Sequence, residues 1–276
     1  MSPVWRRFAR SRPGVVGLVL IVLLLAAAAL APALSPRPPL ETSSLAFRAP
    51  ASGRLLGTDN LGRDVWSGVV HGARVSLMVG VLAAGFAALI GVAVGAAAGA
   101  AGGRTDAWLM RTSDLLQTIP QFFLALLIVA LAGRGLWKII AVLAILGWPL
   151  TARLVRAEFL SLREREFVEA ARALGMSDLR VAVRVILPNA IPPALVAATL
   201  GVAEAVLLES GLSFFGLGDP NLMSWGVMLQ NAQGFLRRAW WMAVFPGLAI
   251  FTAVLGFNLF GDGLSDALNP RLRQRT

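Results

Sequence analysis

The chain has 276 residues, 57% hydrophobic and 14% charged, and its net charge of +10 comes from 24 Arg and one Lys against 15 acids. Soluble domains carry about 25% charged residues, so this is the composition of a membrane protein. There is no Cys, His71 is the lone histidine and Lys138 the lone lysine, which excludes disulfides, thiolate metal sites, most imidazole chemistry and a Gly-Lys-Ser/Thr phosphate loop.

Residues 1–13 carry Arg6, Arg7, Arg10 and Arg12, and an apolar run over 14–34 is long enough to cross a bilayer. Ala29-Leu30-Ala31 resembles a signal-peptidase site, but the run exceeds a signal h-region and Pro32 would follow the cut. It therefore reads as a retained span. Residues 35–74 form a Pro- and Gly-rich external loop, with a short amphipathic helix predicted over 65–75. A second span, 75–101, carries Gly80, Gly85, Gly91, Gly95 and Gly99, small residues that let helices approach closely in lipid. After a short inside turn at 102–111 comes a third span, 112–132, kinked at Pro120. A tight turn at 133–138 leads to span four, 139–155. A polar loop over about 157–189 separates it from span five, 190–212. An outer stretch, 213–239, precedes span six, 240–260, and a basic tail. The domain organisation predicted is thus 1–34, 35–74 and a core of 75–276.

Six spans put both termini on one side. With those termini inside, the inner segments hold 16 basic residues and the outer segments 9, so cytoplasmic termini are the better assignment. The arginines lie between apolar runs rather than on one basic face interleaved with aromatics. That is loop retention and not nucleic-acid binding.

The polar loop is ordered rather than low-complexity. Glu164, Glu166, Glu169 and Arg172 sit among Phe167, Val168, Ala170, Ala171 and Leu174, so the segment reads as an amphipathic helix with Phe167, Ala170, Ala171 and Leu174 on one face. Gly175 is suited to end it in the left-handed conformation. Ser177 can cap a second helix through Val181, Val183 and Val185, ended by Pro188. By composition alone this is a solvated loop. Yet Glu169-Ala170-Ala171, three residues, Gly175, nine residues, Val185, one residue and Leu187-Pro188 resembles the EAA loop of the membrane subunits of bacterial ABC importers. Val185 departs from the family's usual Ile by one methylene. The resemblance implies a coupling helix that docks on an ATPase subunit through Glu166, Glu169, Ala170, Ala171, Leu174 and Gly175, with Leu187 and Pro188 beyond them.

A second block reads Gly57-Thr58-Asp59-Asn60-Leu61-Gly62-Arg63-Asp64. As bare residues this is turn chemistry, with Asp64 able to cap the helix that follows. Beside the EAA-like loop it resembles the C-type permease of the dipeptide, oligopeptide and nickel importers, whose GTD-x-LGRD segment precedes the second span. Further matches are Asp114-Leu115-Leu116, Arg153 with Arg156, Leu187-Pro188-Asn189, Leu212-Ser213-Phe214, Phe245-Pro246-Gly247, Asn258, Gly261-Asp262-Gly263 and Pro270-Arg271-Leu272, with Asn269 where Asp is usual. The resemblance runs over about the whole chain. It implies an all-α integral membrane protein with six transmembrane helices and a cytoplasmic coupling helix, the type I ABC importer permease fold, in a bacterial or archaeal plasma (inner) membrane. It implies as partners a homologous second permease forming a heterodimer, two cytoplasmic ATPase subunits that bind ATP and Mg, and an external substrate-binding protein, with no cofactor on this chain. The solute implied is a di- or oligopeptide, with a nickel chelate or another small solute as the alternative.

Carboxylates within spans are costly and face an aqueous path, a partner or water. Glu209, near the outer end of span five, can reach water. Glu204, deeper, lines a pore or makes a subunit-interface hydrogen bond. Asp114 begins span three. Trp66, Trp225, Trp240 and Trp241 fall at outer boundaries as interfacial anchors. A self-contained channel or secondary carrier is the other class; the absence of an internal repeat and the ordered docking segment argue against it. An intramembrane enzyme lacks a catalytic constellation.

Overall fold

The computed structural model describes residues 3–268; the tail positions Asn269 and Pro270-Arg271-Leu272 lie outside them. The first span opens with a short helix, α1 (Pro3–Phe8), and α2 (Arg12–Ala29), which Ser11 caps by accepting from Gly14 N. A one-turn helix, α3 (Ala31–Leu34), ends it. Among the described residues the regular elements are all helical, and two isolated bridges, Ala51–Arg54 and Thr58–Asp64, are the only β pairings.

The predicted amphipathic helix and second span are one element, the 37-residue α4 (Val65–Ala101). At 1.5 Å per residue it is about 55 Å long, far beyond the hydrocarbon thickness, so its first turns project from the bilayer. The predicted inside turn is also helical: α5 (Gly103–Thr118) meets α6 (Gln121–Ala132) at an angle of 85°. Pro120, which lacks an amide hydrogen, sits at that corner. The kink is therefore a break, and the third span is two half-length helices. Among the described residues five helices are long and apolar enough to cross a membrane, or six counting the bent pair as one.

The fourth span is α7 (Leu136–Leu162), several residues longer at each end than expected. α4 lies along it through glycine: a methyl at Gly91 would come 2.6 Å from Thr151 Cβ, and one at Gly95 would come 2.9 Å from Val155 Cβ. The same helix meets Val206 at Gly80 and Phe159 at Gly99, whereas Gly85 faces open space.

Next come α8 (Glu166–Ala173) and α9 (Asp178–Val181), then a π-helical stretch Ala182–Ile186 and α10 (Leu187–Phe214). Pro188 does not end this helix. It falls in the first turn of α10, where its missing amide is no loss, and the wider π turn, closed by Leu187 N on Ala182 O, accommodates the change of register. Pro192 and Pro193 lie inside α10. The chain is thus continuously helical from Asp178 to Phe214. The outer stretch holds α11 (Trp225–Ala232) and a 3-10 turn, and α12 (Trp241–Leu268) closes the bundle against α2, where Gly17 backs onto Phe260 and Gly256.

Candidate functional site

At one end of the bundle, α8 and α9 form a corner. Glu166 and Glu169 occupy the first turn of α8 and Arg172 the last, each complementing the helix dipole. Gly175, at φ +83°, ends the helix: Met176 N donates to Ala171 O and Gly175 N to Arg172 O, a Schellman pair. Arg172 then reaches Asp178 at 3.4 Å. Ser177 takes the cap position of α9, although its side chain makes no cap hydrogen bond.

Val168 and Ala171 are buried with Val155 and Phe159 of α7 and with Val181, Ile186, Ala190 and Ala194 leading into α10. The apolar face predicted for α8 therefore divides. Ala171 turns inward, while Glu169 and Ala170 are exposed with Phe167 at 44% and Leu174 at 85%. Leu179 on α9 is exposed as well. The inward pair seats the corner on the ends of α7 and α10; the outward set is an apolar tip without cover. Leu187 is half-buried against the same cluster, and Pro188 is exposed.

At the opposite end, Thr58 and Asp59 fold the 35–64 stretch onto the bundle. Thr58 Oγ1 donates to Leu45 O at 2.5 Å and accepts from Arg48 N at 2.9 Å, and its carbonyl accepts from Trp241 Nε1. Asp59 Oδ1 accepts from Leu61 N and Arg63 N, both at 2.8 Å. Gly62, at φ +72°, lies against Ser43, and Gly57 against Trp241. Asp64 caps α4 through Trp66 N and pairs with Arg37 and Arg54 at 3.0 and 3.1 Å. These residues knot the loop: Gly57, Thr58, Asp59, Gly62 and Asp64 are buried, Asn60 and Arg63 half-buried, and Leu61 exposed.

Glu209 does not reach water: it is 2% exposed. Its carboxyl faces the hydroxyls of Ser213 (2.7 Å), Ser76 (3.3 Å) and Ser210 (3.5 Å), with Ser224 also in the cage. The sequence places it near a boundary, but α11 folds back over that boundary. For the same reason Trp225 is fully buried, donating Nε1 to Val69 O, and Trp241 is buried beside Thr58. Of the four tryptophans read as interfacial, Trp240 is exposed, and Trp66 is half-buried with Nε1 on Leu34 O. Asp114 is exposed and pairs with Arg153 at 3.6 Å. His71 Nε2 lies 3.1 Å from Ser35 O, and no group of residues able to hold a metal ion occurs among the described residues.

Between the two ends a groove of about 980 Å3 is walled by α4, α7, α10 and the α5–α6 corner, with α12 at its edge. Glu204 lines it, together with Glu158, Gln117, Gln121, Thr151 and Asn189. Asn258 is exposed on α12 and is not part of the lining. Glu158 is not legible as a site residue in the sequence, which ends span four at 155 and leaves it in the polar loop. Three extra residues of helix bring it onto the same wall as Glu204.

The fold resembles that of a solved chain from inward-facing MetNI methionine ABC transporter structures, with a TM-score of 0.58, 21% identity, and coverage of 73% of this chain and 96% of that one. The curated relatives include a putative peptide transport system permease protein of Brucella suis, 44% identical over 97% of this chain and 91% of that protein. The dipeptide transport system permease protein DppC of Alkalihalophilus pseudofirmus is 39% identical over 98% and 89%. The di/tripeptide transport system permease protein DppC of Pseudomonas aeruginosa is 38% identical over 99% and 93%. Residues 2–51 match the N-terminal TM domain of oligopeptide transport permease C. Residues 89–274 match the binding-protein-dependent transport system inner membrane component, and the chain belongs to that family of ABC transporter permeases.

Proposed function

We propose that this chain is one half of the translocation path of an ATP-driven importer of di- or oligopeptides. The observation that carries this is the uncovered tip of Phe167, Ala170 and Leu174, held on the bundle by Val168 and Ala171 and continuous through α9 and the π turn with α10, a wall of the groove. The names of the curated relatives support a peptide as solute.

In this reading α8 docks in a cleft of a cytoplasmic ATPase subunit. Glu166 and Glu169 orient it, the small Ala170 permits close approach, and Leu174 and Phe167 are desolvated on contact. ATP and Mg are bound by the two ATPases and not by this chain, which has no phosphate loop. Closure of the ATPase pair pushes the corner as a body, because the Schellman turn and the Val168–Ala171 seat leave it no slack. The unbroken helix from Asp178 carries the displacement into α10. The open side of the groove is closed by a homologous second permease, and an external binding protein delivers the solute at the Thr58–Asp64 end. The excess of basic residues at the α8 end supports a cytoplasmic side for it and for both termini.

Co-purification with candidate ATPases tests this. Wild type retains the ATPase, whereas Glu169→Arg and Leu174→Asp lose it while remaining in the membrane. Binding by neither wild type nor variants would remove the central claim and favour a self-contained channel, which transport by this chain alone in liposomes would reveal.

A further inference from the structure

The walls of the groove carry one sign of charge. Among the described residues that line it, the ionisable ones are Glu158 on α7 and Glu204 on α10, in a chain where Arg and Lys outnumber acids 25 to 15. Neither glutamate has a hydrogen-bond or ion-pair partner among the described residues. The arginines nearest Glu158 in sequence are engaged elsewhere. Arg156 grips Asp106 of α5 through two contacts, at 2.5 and 2.6 Å, and Arg153 turns to Ser113 and Asp114. α7 thus sends Arg153 and Arg156 to α5 and its carboxylate to the groove, while Lys138, at its other end, bonds Ala132 O.

The backbone adds acceptors of the same polarity. Pro192 and Pro193 have no amide hydrogen, so the carbonyls of Pro188 and Asn189 lose the donors that would close their helical turns. All four residues line the groove. Across from them, α5 ends at Thr118, and the last-turn carbonyls of Leu116 and Gln117, also in the lining, have no partner within their helix. The first amides of α6, at Gln121 and Phe122, sit at the same corner and offset part of this polarity, while those of Phe123 and Leu124 are taken by Pro120 O. A helix C-terminus carries partial negative charge.

An ammonium has three donors and no acceptor, the complement of such a wall. We propose that the groove is a cation-accepting track, in which Glu158 and Glu204 receive the ammonium groups of the passing solute and favour neutral and basic peptides over acidic ones. The inference rests on the peptide-importer reading and deepens it. The two glutamates stand at different depths of the groove, Glu158 beside the Ala190–Ala194 level of α10 and Glu204 about three turns further along that helix, so a passing ammonium meets them in turn, with the Pro188 and Asn189 carbonyls at the Glu158 end. A carboxylate side chain on the solute would meet repulsion on both walls.

The test uses proteoliposomes holding the complete transporter with its ATPases and binding protein, and compares uptake of Lys-Ala and Glu-Ala per ATP hydrolysed. The affinity of the binding protein for each peptide, measured separately, is divided out. Wild type is expected to favour Lys-Ala, and the double variant E158Q/E204Q to lower the Lys-Ala to Glu-Ala ratio about tenfold, while E204D retains it. An unchanged ratio in the double variant, with both peptides still carried, overturns the cation track and leaves the importer reading standing. A shift in E204D as large as in the double variant also overturns it, because shape and not charge would then be responsible. Uptake of neither peptide by wild type removes the peptide reading and this inference with it.

Discussion

Glu209 and Trp225 are joined through one hydroxyl: Ser76 Oγ donates to Glu209 Oε2 at 3.3 Å and accepts from the Trp225 amide at 3.2 Å. Three elements, α4, α10 and α11, meet at that oxygen. Ser213, one turn along α10, donates to the other carboxyl oxygen at 2.7 Å. Glu209 thereby fixes the point where the 213–239 stretch folds back onto the bundle. Gln keeps an acceptor oxygen and can give its amide hydrogens to the serines, so Glu209→Gln should cost no more than about 1 kcal/mol. Glu209→Leu leaves the buried hydroxyls of Ser76, Ser210 and Ser213 without their acceptor and should cost about 1–3 kcal/mol. Thermal unfolding in detergent ranks the two, and quenching of Trp225 should rise in the Leu variant alone. Equal stability of the two would show that the carboxyl site does not hold the fold-back.

The α4–α7 contact makes a second prediction, because α4 carries its own control in Gly85, a glycine on another side of the helix. Gly91→Val and Gly95→Val place side chains within 3 Å of Thr151 and Val155. Both neighbours are buried on a helix that cannot retreat without uncovering the groove wall. Overpacking of this kind costs about 1–3 kcal/mol, and more where backbone carbonyls are struck, as here at Trp148 and Ala152. Gly85→Ala meets nothing within 4 Å and replaces a poor helix former with the best one, a change worth about 1 kcal/mol in the other direction. Melting temperatures should fall for the first two and hold or rise for the third. A drop for Gly85→Ala of the same size would mean that the stripe acts through a partner surface and not through α7.

The glycine stripe also shows what can be read from sequence. Small residues predict close helix approach at all five glycines; Gly80, Gly91, Gly95 and Gly99 each have a neighbour, and Gly85, five residues from Gly80 and six from Gly91 and so turned off their side of the helix, has none. Periodicity gives the stripe and not which helix covers it. The α8 face behaves likewise. Phe167, Ala170, Ala171 and Leu174 share a side of the wheel, but α7 and the π turn approach from only one flank and bury Val168 with Ala171 instead. Pro188 misleads for a different reason: a local rule ends the helix there, and a π turn removes the clash. Glu209 is illegible because its partners, Ser76, Ser213 and Ser224, come from separate elements. Composition and motif order carry the membrane class, the family and the count of hydrophobic segments, since those depend on runs within one stretch of chain.

Gly175 is the position at the α8 corner where backbone chemistry decides. Its φ of +83° lies in the region that costs a β-branched residue about 1–3 kcal/mol, and the two Schellman amides depend on it. Gly175→Asn, which tolerates the left-handed conformation, should keep the corner; Gly175→Val should open it. Hydrogen exchange at the amides of Gly175 and Met176 reads this directly, with protection retained in Asn and lost in Val. Because open space surrounds a side chain placed there, loss of protection in both variants would point to a more general fraying of the segment.

Asp64 performs two tasks that substitution can separate. Its Oδ1 caps α4 through Trp66 N at 3.0 Å, and its Oδ2 holds Arg37 and Arg54. Asn caps as well as Asp but carries no charge, so Asp64→Asn should keep the first turn of α4 and release the arginines. Asp64→Ala loses both, at a cost of about 1 kcal/mol for the cap alone. Arg37 is half exposed and its pairing is screened by water; Arg54 is the more enclosed partner. The charge contribution should therefore reside mainly in Arg54, and Arg54→Gln should reproduce most of the difference between wild type and Asp64→Asn. Limited proteolysis of the 35–64 loop measures it, with cleavage increasing in the order wild type, Asp64→Asn, Asp64→Ala. If Arg37→Gln opened the loop as much as Arg54→Gln, the ion pair nearer to solvent would be holding the knot, and the ranking by enclosure would be wrong.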